Sequence, residues 1–152
     1  MYYSYFESPC GLIKITATEK HLKELEFLKH MDIDISNENE ITKKASKQLS
    51  EYFFERRKTF SLDLAVEGSE FQKKVWNALL DIPYGELATY KDIACKIGNT
   101  NASRAVGNAN NKNKIPIIIP CHRIIGTDGS LVGYAGGLDV KKFLIDHERN
   151  NR

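Results

Sequence analysis

Cys121 and His122 are adjacent in the string IIIPCHRIIG, where apolar residues surround them. The reactive form of cysteine is the thiolate, and a free cysteine has a pKa of about 8.5, so a nucleophilic site must lower that pKa. The neighbouring imidazole could accept the thiol proton, directly or through a water molecule. This pattern predicts a cysteine nucleophile with a histidine base. The alternative is a buried, unreactive thiol, which is the usual role of a lone cysteine.

A histidine base needs a third group that orients the ring and balances the imidazolium charge. Glu148 lies in VKKFLIDHERN, which is predicted to be the last helix and could return a carboxylate to the ring of His122. The run IPIII before the cysteine is predicted to be an apolar strand that leads rigidly into the site. Pro120 restricts the conformation of the residue that precedes it. Together these features are what placing a thiol for attack requires.

The other cysteines and histidines have simpler predicted roles. Three widely spaced cysteines without a CxxC pair indicate neither a disulfide framework nor a zinc site. Cys10 and Cys95 are predicted to be structural, and Cys95 is expected to pack inside a helix as a small apolar side chain. The remaining histidines are predicted to be surface or capping residues: His21, His30 and His147.

The first half of the chain predicts a small antiparallel sheet and one helix. Aromatic and β-branched residues alternate in MYYSYFES and LIKITATEK, a turn separates them, and KHLKELEFLKH is predicted to add a third strand. Residues 32–40 are polar and predict a loop. ITKKASKQLSEYFFERRK has helical spacing, with its basic residues suited to a helix C-terminus. The apolar face of this helix is predicted to contain Ala45, Leu49, Tyr52 and Phe53.

The second half predicts short helices. Ser69 is expected to cap a helix in SEFQKKVWNALLDIPYG, and Thr89 to cap YKDIACKI, which ends at Gly98. After the turn GNTN, ASRAVGNANN can form the next helix. Two short helices joined by such a turn are typical of a helix-turn-helix. The stripe predicted for the first of these helices contains Phe71, Val75, Trp76, Leu79 and Leu80. The extended connector TFSLDLAVEG divides the chain into predicted lobes of residues 1–65 and 66–152.

The second helix of the pair is slim and carries no acidic side chain. Between residues 93 and 127 there is no Asp or Glu, although lysine and arginine recur there. Such a helix can approach a nucleic-acid backbone closely, and a local basic face points toward phosphate. The alternatives are tight packing against a neighbouring helix and an ordinary solvated surface. The residues expected to face DNA are Ala102, Ser103, Arg104, Ala105 and Gly107.

Composition limits the class of protein to which the chain can belong. The chain has 152 residues, 41% of them hydrophobic and 28% charged, with a net charge of +2, which is typical of a globular protein. No run approaches the roughly 18–20 apolar residues of a membrane span. The N-terminus lacks the basic start and apolar stretch of a secretory signal. A cytoplasmic protein without a membrane segment is therefore expected.

Several strings together resemble one family. IPCHR, LVGYAGGL, FQKKVWNALLDIPYGELATYKDIA and SRAVGNANNKNKIPI are similar to the O6-alkylguanine-DNA alkyltransferases, which reverse guanine alkylation. The resemblance is dense over residues 69–148 and looser before them. It implies an α/β (α+β) fold, with an N-terminal ribonuclease-H-like antiparallel sheet and a mostly helical C-terminal lobe. It also implies a monomer that acts once on double-stranded DNA, without cofactor or metal.

The resemblance assigns roles around the cysteine. Cys121 would accept the alkyl group, and His122 would act as its base through a bridging water, with Glu148 orienting the ring. Asn113 matches the family's hinge asparagine, and Tyr134 matches a tyrosine that borders the guanine and donates to its O6. As alternatives, Asn113 could be a simple turn residue and Tyr134 a loop aromatic packed on the core.

Further roles concern DNA. The target base must leave the duplex, and a helix in the minor groove with a side chain inserted in the stack offsets that cost. Arg104 matches the inserted arginine, with a phosphate contact as its alternative. Tyr90 matches a tyrosine that lines the pocket and helps to rotate the target phosphate, although it could be a plain first-turn helix residue. Tyr134, Ala135 and Ile124 complete the expected pocket, where family members often have Ser in place of Ala135.

Two other functions are compatible with parts of this pattern. One is a non-catalytic module that binds alkylated guanine, but such relatives replace the nucleophile, and Cys121 is present here. The other is a cysteine hydrolase that uses Cys121 and His122. Papain-type signatures are absent from the sequence, and adjacency of nucleophile and base is unusual for hydrolases.

Overall fold

The computed structural model describes residues 1–29 and 36–152. The chain divides into two compact units, Met1–Val66 and Glu67–Arg152. Across the described residues, no helix has the length and apolar character needed to cross a membrane.

The N-terminal unit contains a three-stranded antiparallel sheet in the order β1–β2–β3. Its strands are β1 (Tyr2–Ser8), β2 (Gly11–Ala17) and β3 (Leu22–Leu28). Period-two alternation in β2 buries Ile13 and Ile15 on one face. β3 lies within the segment predicted to be a third strand, so that prediction is confirmed. The extended connector after the helix pairs with this sheet, because Leu64 forms a parallel bridge with Leu22.

The helix of this unit, α1 (Glu40–Phe54), begins at an Asn39 cap whose side chain accepts from the Thr42 amide. Its predicted apolar face is confirmed, since all four residues are buried. The predicted helical segment extends too far, however. Arg56 has a φ of 61°, and the amides of Glu55 and Arg57 both donate to the Glu51 carbonyl, which closes the helix before the basic residues. Of the predicted 32–40 loop, residues 32–35 lie outside the described residues, as does His30.

The C-terminal unit is mostly helical. Its helices are α2 (Glu70–Leu80), α3 (Tyr90–Lys96), α4 (Ser103–Asn111) and α5 (Leu138–Asn150). A short parallel pair, β4 (Ala88–Thr89) and β5 (Ile124–Ile125), joins the start of α3 to the segment after the cysteine. The helix pair α3 and α4 is the predicted helix-turn-helix, and the mixed α/β fold class is confirmed.

Both predicted caps in this unit are present. The Ser69 hydroxyl accepts from the Gln72 amide, and the Thr89 hydroxyl accepts from the Asp92 amide, each within a capping box. The predicted stripe of α2 is wrong at one position. Leu80 is the last residue of the helix and is 46% exposed, because it lies one residue, and so about 100° of helical rotation, beyond the buried Leu79.

The predicted IPIII strand is also wrong. Residues 115–119 form a turn, in which the Ile119 amide donates to the Ile115 carbonyl and Ile117 has a φ of 73°. The side chain of Asn113 accepts from the Ile115 amide at 3.0 Å and donates to the Ile119 carbonyl at 2.9 Å. These side-chain bonds satisfy backbone groups that a strand would pair, and apolar burial on all sides stabilises the compact turn.

Candidate active site

Cys121, His122 and Arg123 form a single 3-10 turn between the Asn113-bonded turn and β5. All three side chains are buried, and Cys121 is 5% exposed. The side chain of Asn110, on α4, donates to the Cys121 carbonyl at 3.3 Å. The helix-turn-helix is thus hydrogen-bonded directly to the backbone of the turn that contains Cys121.

The ring of His122 meets a carboxylate from α5. Its Nε2 lies 2.7 Å from Oε2 of Glu148, and both side chains are shielded from solvent. An ionised carboxylate can only accept a hydrogen bond, so Nε2 carries the proton and Nδ1 of a neutral ring keeps its lone pair. Nδ1 has no hydrogen-bond partner within the described part of the chain. This atom is therefore the one available to accept a proton.

Arg123 was predicted only as part of the local basic face of residues 93–127, but it is buried in this site and does not contribute to a surface. Its Nε and Nη2 donate to the two carboxylate oxygens of Glu148 at 2.7 and 3.1 Å, and its Nη1 donates to the Ile82 carbonyl at 2.7 Å. A bidentate contact of this kind fixes the plane of a carboxylate. The signal in the sequence was an arginine inside an apolar run, which is rare unless the charge is paired.

The environment sets the charges of the histidine and its partner. Burial opposes ionisation of Glu148, but the hydrogen bonds and charges of His122 and Arg123 outweigh it and hold the pKa of Glu148 well below its usual range. The pKa of His122 is lowered, mainly by burial and further by the charges of Arg123 and Lys141, although the hydrogen bond and charge of Glu148 act to raise it. A neutral imidazole beside an ionised carboxylate is the state that a general base requires.

The cysteine differs from the prediction. Burial raises the pKa of the Cys121 thiol to about 11, although the side chains of Asn113 and Tyr134 and the charge of Lys141 act to lower it. The prediction that the site lowers this pKa below that of a free cysteine is therefore wrong for the resting chain. Desolvation outweighs the neighbouring donors, so the thiol keeps its proton and depends on a base for activation.

Tyr90, the first residue of α3, stands close to the cysteine. Its hydroxyl donates to the Val132 carbonyl at 3.0 Å. Burial and the charge of the Cys121 thiolate both raise the pKa of Tyr90. Tyr90 also lines an open cleft of about 670 Å³, whose other walls include Ser103, Arg104 and Gly107. Cys121 and the predicted pocket residues Tyr134 and Ala135 are not among the described residues that line this cleft.

The remaining predicted residues are divided between exposed and buried positions. Arg104 and Ala105 are exposed on α4, whereas Ala102 is buried at its N-cap. Ala135 is exposed beside Tyr134. Ile124 is fully buried in β5 and is not among the described residues that line the cleft.

The prediction for Cys95 is wrong. It lies on the solvent side of α3 and is exposed, because the buried face of that short helix is already formed by Ile93 and Ala94. Cys10 is half-buried in the turn between β1 and β2, where its sulfur lies 3.4 Å from the Ser8 hydroxyl.

Comparison with known families accounts for nearly the whole chain. The ribonuclease-like domain of 6-O-methylguanine DNA methyltransferase matches residues 1–66, and the DNA-binding domain of the same family matches residues 70–150. The chain belongs to this family. The resemblance inferred from the sequence motifs is thereby confirmed.

Individual relatives within the family match at full length. A methylated-DNA–protein-cysteine methyltransferase of Methanosarcina barkeri is 52% identical and covers 99% of both chains. The constitutive methyltransferase of Bacillus subtilis is 44% identical over 97% of this chain and 95% of its own. The crystal structure of Mycobacterium tuberculosis OGT in complex with DNA matches with a TM-score of 0.91 and 38% identity, over 99% of this chain and 94% of that one.

Proposed function

We propose that this protein repairs DNA by transferring the alkyl group from O6 of an alkylated guanine to the sulfur of Cys121. The observation that carries the proposal is the buried series Cys121–His122–Glu148, with the ring nitrogen and carboxylate 2.7 Å apart beside a helix-turn-helix cleft. Full-length similarity to methylated-DNA–protein-cysteine methyltransferases supports it.

The proton transfers follow from the charges at the site. Nδ1 of His122 takes the thiol proton, directly or through a water molecule, and Glu148 stabilises the imidazolium that forms. The thiolate then attacks the alkyl carbon, so that a carbon–sulfur bond forms while the carbon–O6 bond breaks. The guanine leaves as an anion and takes up one proton, and His122 gives up the proton that it took from the thiol, so the net change is transfer of that proton from sulfur to guanine. The Tyr134 hydroxyl stabilises the charge that develops on O6.

The product explains why the reaction occurs once per molecule. Sulfur becomes a thioether, which has no carbonyl group for water to attack, in contrast to an acyl-enzyme. The alkylated cysteine therefore accumulates in place of a regenerated thiol. The proposed active form is a monomer, because one chain supplies the nucleophile, the base and the orienting carboxylate. The proposed location is the cytoplasm.

DNA is proposed to bind along α4 and the adjoining cleft. Extruding the target guanine costs a few kcal/mol, and a side chain that enters the base stack offsets part of this cost. Arg104 is exposed on α4 and lines the cleft, as this role requires. The small neighbouring side chains let the helix approach the minor groove closely.

The function is tested with a duplex that carries O6-methylguanine labelled in its methyl group. After incubation, peptide mass analysis should find the label on the peptide that contains Cys121, at no more than one equivalent per chain. Binding without transfer would instead indicate a lesion-binding module. Release of labelled product over many turnovers would indicate a hydrolase.

Arg104→Ala is expected to weaken binding to duplex DNA by about tenfold or more, because the helix loses the side chain that fills the base stack. The reaction with free O6-benzylguanine should change far less, since no stack has to be filled. Duplex titrations and single-turnover rates measure the two effects. Arg149→Ala, which removes an exposed arginine on α5, is the control and should leave both unchanged. Equal losses on duplex and free base for Arg104→Ala would contradict the role.

A further inference from the structure

Lys141 is an unusual residue for the place it occupies. It lies near the N-terminus of α5 and is 0% exposed. A lysine is rarely buried unless it is paired, and the N-terminal end of a helix already carries partial positive charge. Burying an ammonium group here opposes folding, so a purely structural position would favour an apolar side chain.

Among the described residues, no ion pair compensates for the burial of the Lys141 ammonium group. Its Nζ donates to the Val132 carbonyl at 3.0 Å. Within the described part of the chain, no carboxylate lies within ion-pair distance of this ammonium group. Glu148 shares the buried face of α5 with Lys141, but it lies about 10 Å along the axis and binds His122 and Arg123 instead.

The charge of Lys141 acts mainly on the reactive turn. Burial lowers the pKa of Lys141, and the Cys121 thiolate raises it. In return, the ammonium group helps to lower the pKa of Cys121 and contributes to lowering that of His122. Besides His122, the proposed base, the titratable groups that act on this sulfur are the hydroxyls of Tyr90 and Tyr134. Cys121 is thus the one anion-forming group that acts on Lys141 among the described residues.

The Val132 carbonyl accepts two hydrogen bonds from different helices. One comes from Nζ of Lys141 on α5, and the other from the hydroxyl of Tyr90 on α3, each at 3.0 Å. Val132 lies two residues before Tyr134, the proposed donor to O6. Lys141 therefore ties the segment that carries this tyrosine to α5, while Tyr90 ties the same segment to the helix-turn-helix.

We propose that Lys141 is a positioning residue for alkyl transfer, which supplies the buried positive charge that balances the Cys121 thiolate and fixes the segment before Tyr134. The inference rests on the proposed function. The ammonium group stabilises the anion as the thiol proton moves to His122. Without it, the thiolate would form in a desolvated site with only the new His122 imidazolium, whose charge Glu148 already balances, and neutral donors around it.

The test compares three variants in a Cys10→Ser, Cys95→Ser background labelled with carbon-13 in cysteine, so that the NMR chemical shift of the cysteine β-carbon reports on the Cys121 thiolate alone. Lys141→Met removes the charge and the hydrogen bond. Lys141→Gln removes the charge but can still donate to Val132. Lys142→Met removes the charge of the exposed neighbour, which pairs with Asp146, and is the control.

Lys141→Met is expected to raise the thiolate titration midpoint by about one unit, and to slow methyl transfer at neutral pH by about tenfold, because the thiolate fraction falls tenfold per unit. Lys141→Gln should show the same shift, whereas Lys142→Met should match the parent. The melting temperature of Lys141→Met should not fall, since an apolar side chain replaces a buried charge. A merely structural lysine would give the opposite: a lower melting temperature and an unchanged pH profile.

An unchanged titration midpoint and pH profile in either folded Lys141 variant would overturn the inference while methyl transfer by the parent stands. A parent protein that transfers no methyl group would overturn the proposed function instead. The titration of Cys121 still decides the electrostatic role in that case. If Lys141→Met fails to fold, Lys141→Gln alone provides the comparison.

Discussion

Cys121→Ser is expected to abolish methyl transfer, with a rate loss of at least about 1,000-fold, and to leave binding to duplex DNA unchanged. A serine hydroxyl is a far weaker nucleophile than a thiolate, and a neutral His122 cannot ionise it appreciably. The substitution is nearly isosteric and stays within the hydrogen-bonding reach of Asn113 and Tyr134. DNA binding should persist because α4 and the cleft are untouched.

The measurement pairs label transfer with a direct binding titration on the same O6-methylguanine duplex. Cys95→Ser is the matched control, because this cysteine is exposed on α3 and should transfer as the parent does. Parallel loss of binding and transfer in Cys121→Ser would mean that the cysteine has a mainly structural role. Retained transfer would show that another residue accepts the methyl group.

Arg123→Met is expected to reduce the free energy of unfolding by about 3–5 kcal/mol, because it removes one partner of a buried ion pair. Glu148 would lose both guanidinium hydrogen bonds while keeping its contacts with the His122 ring and the Gly85 amide, and the Ile82 carbonyl would lose its donor. Denaturant unfolding measures the loss. Arg57→Met is the control, since Arg57 pairs with Glu51 at a partly exposed position and should cost only about 0–1 kcal/mol.

For Arg123→Met we also expect a change in how the free energy of unfolding depends on pH. Folding lowers the pKa of the Glu148 carboxyl. Its ionisation therefore stabilises the folded chain fully at a pH above the pKa that this carboxyl has in the unfolded chain. That stabilisation is lost as the pH falls through the pKa of Glu148 in the folded chain. Without Arg123, the folded pKa rises and that contribution shrinks. Stability should therefore fall less steeply with acidification in Arg123→Met than in the parent. A variant as stable as the Arg57→Met control would show that Arg123 does not anchor the carboxylate.

Local signals in the sequence were sufficient for much of the secondary structure. Ser69 and Thr89 predicted two helix starts because capping depends on a side chain and an amide only three residues away. Alternation predicted the sheet for a similar reason, since the faces of a strand depend on neighbouring residues. The helix end near Arg56 was misplaced, because it depends on carbonyl groups satisfied by the chain that follows.

Long-range contacts decided what local patterns could not. The IPIII run was predicted to be a strand because its residues are apolar and β-branched. Instead, hydrogen bonds from the Asn113 side chain to its backbone stabilise a turn. Cys95 read as a packed side chain, yet Ile93 and Ala94 form the buried face of α3 and leave it exposed. The first outcome depended on hydrogen bonds from a side chain outside the run, and the second on which residues of α3 pack against the rest of the unit.

By itself, the sequence determined the family and led to the proposed nucleophile and its adjacent base, because these depend on residue types within short strings. Only the tertiary structure decided the charges of the site. Burial keeps the Cys121 thiol protonated, Arg123 joins His122 on the Glu148 carboxylate, and Lys141 stands buried without a carboxylate partner in the described chain. A pKa depends on desolvation and on charges that distant segments bring together, and neither can be read from neighbours along the chain.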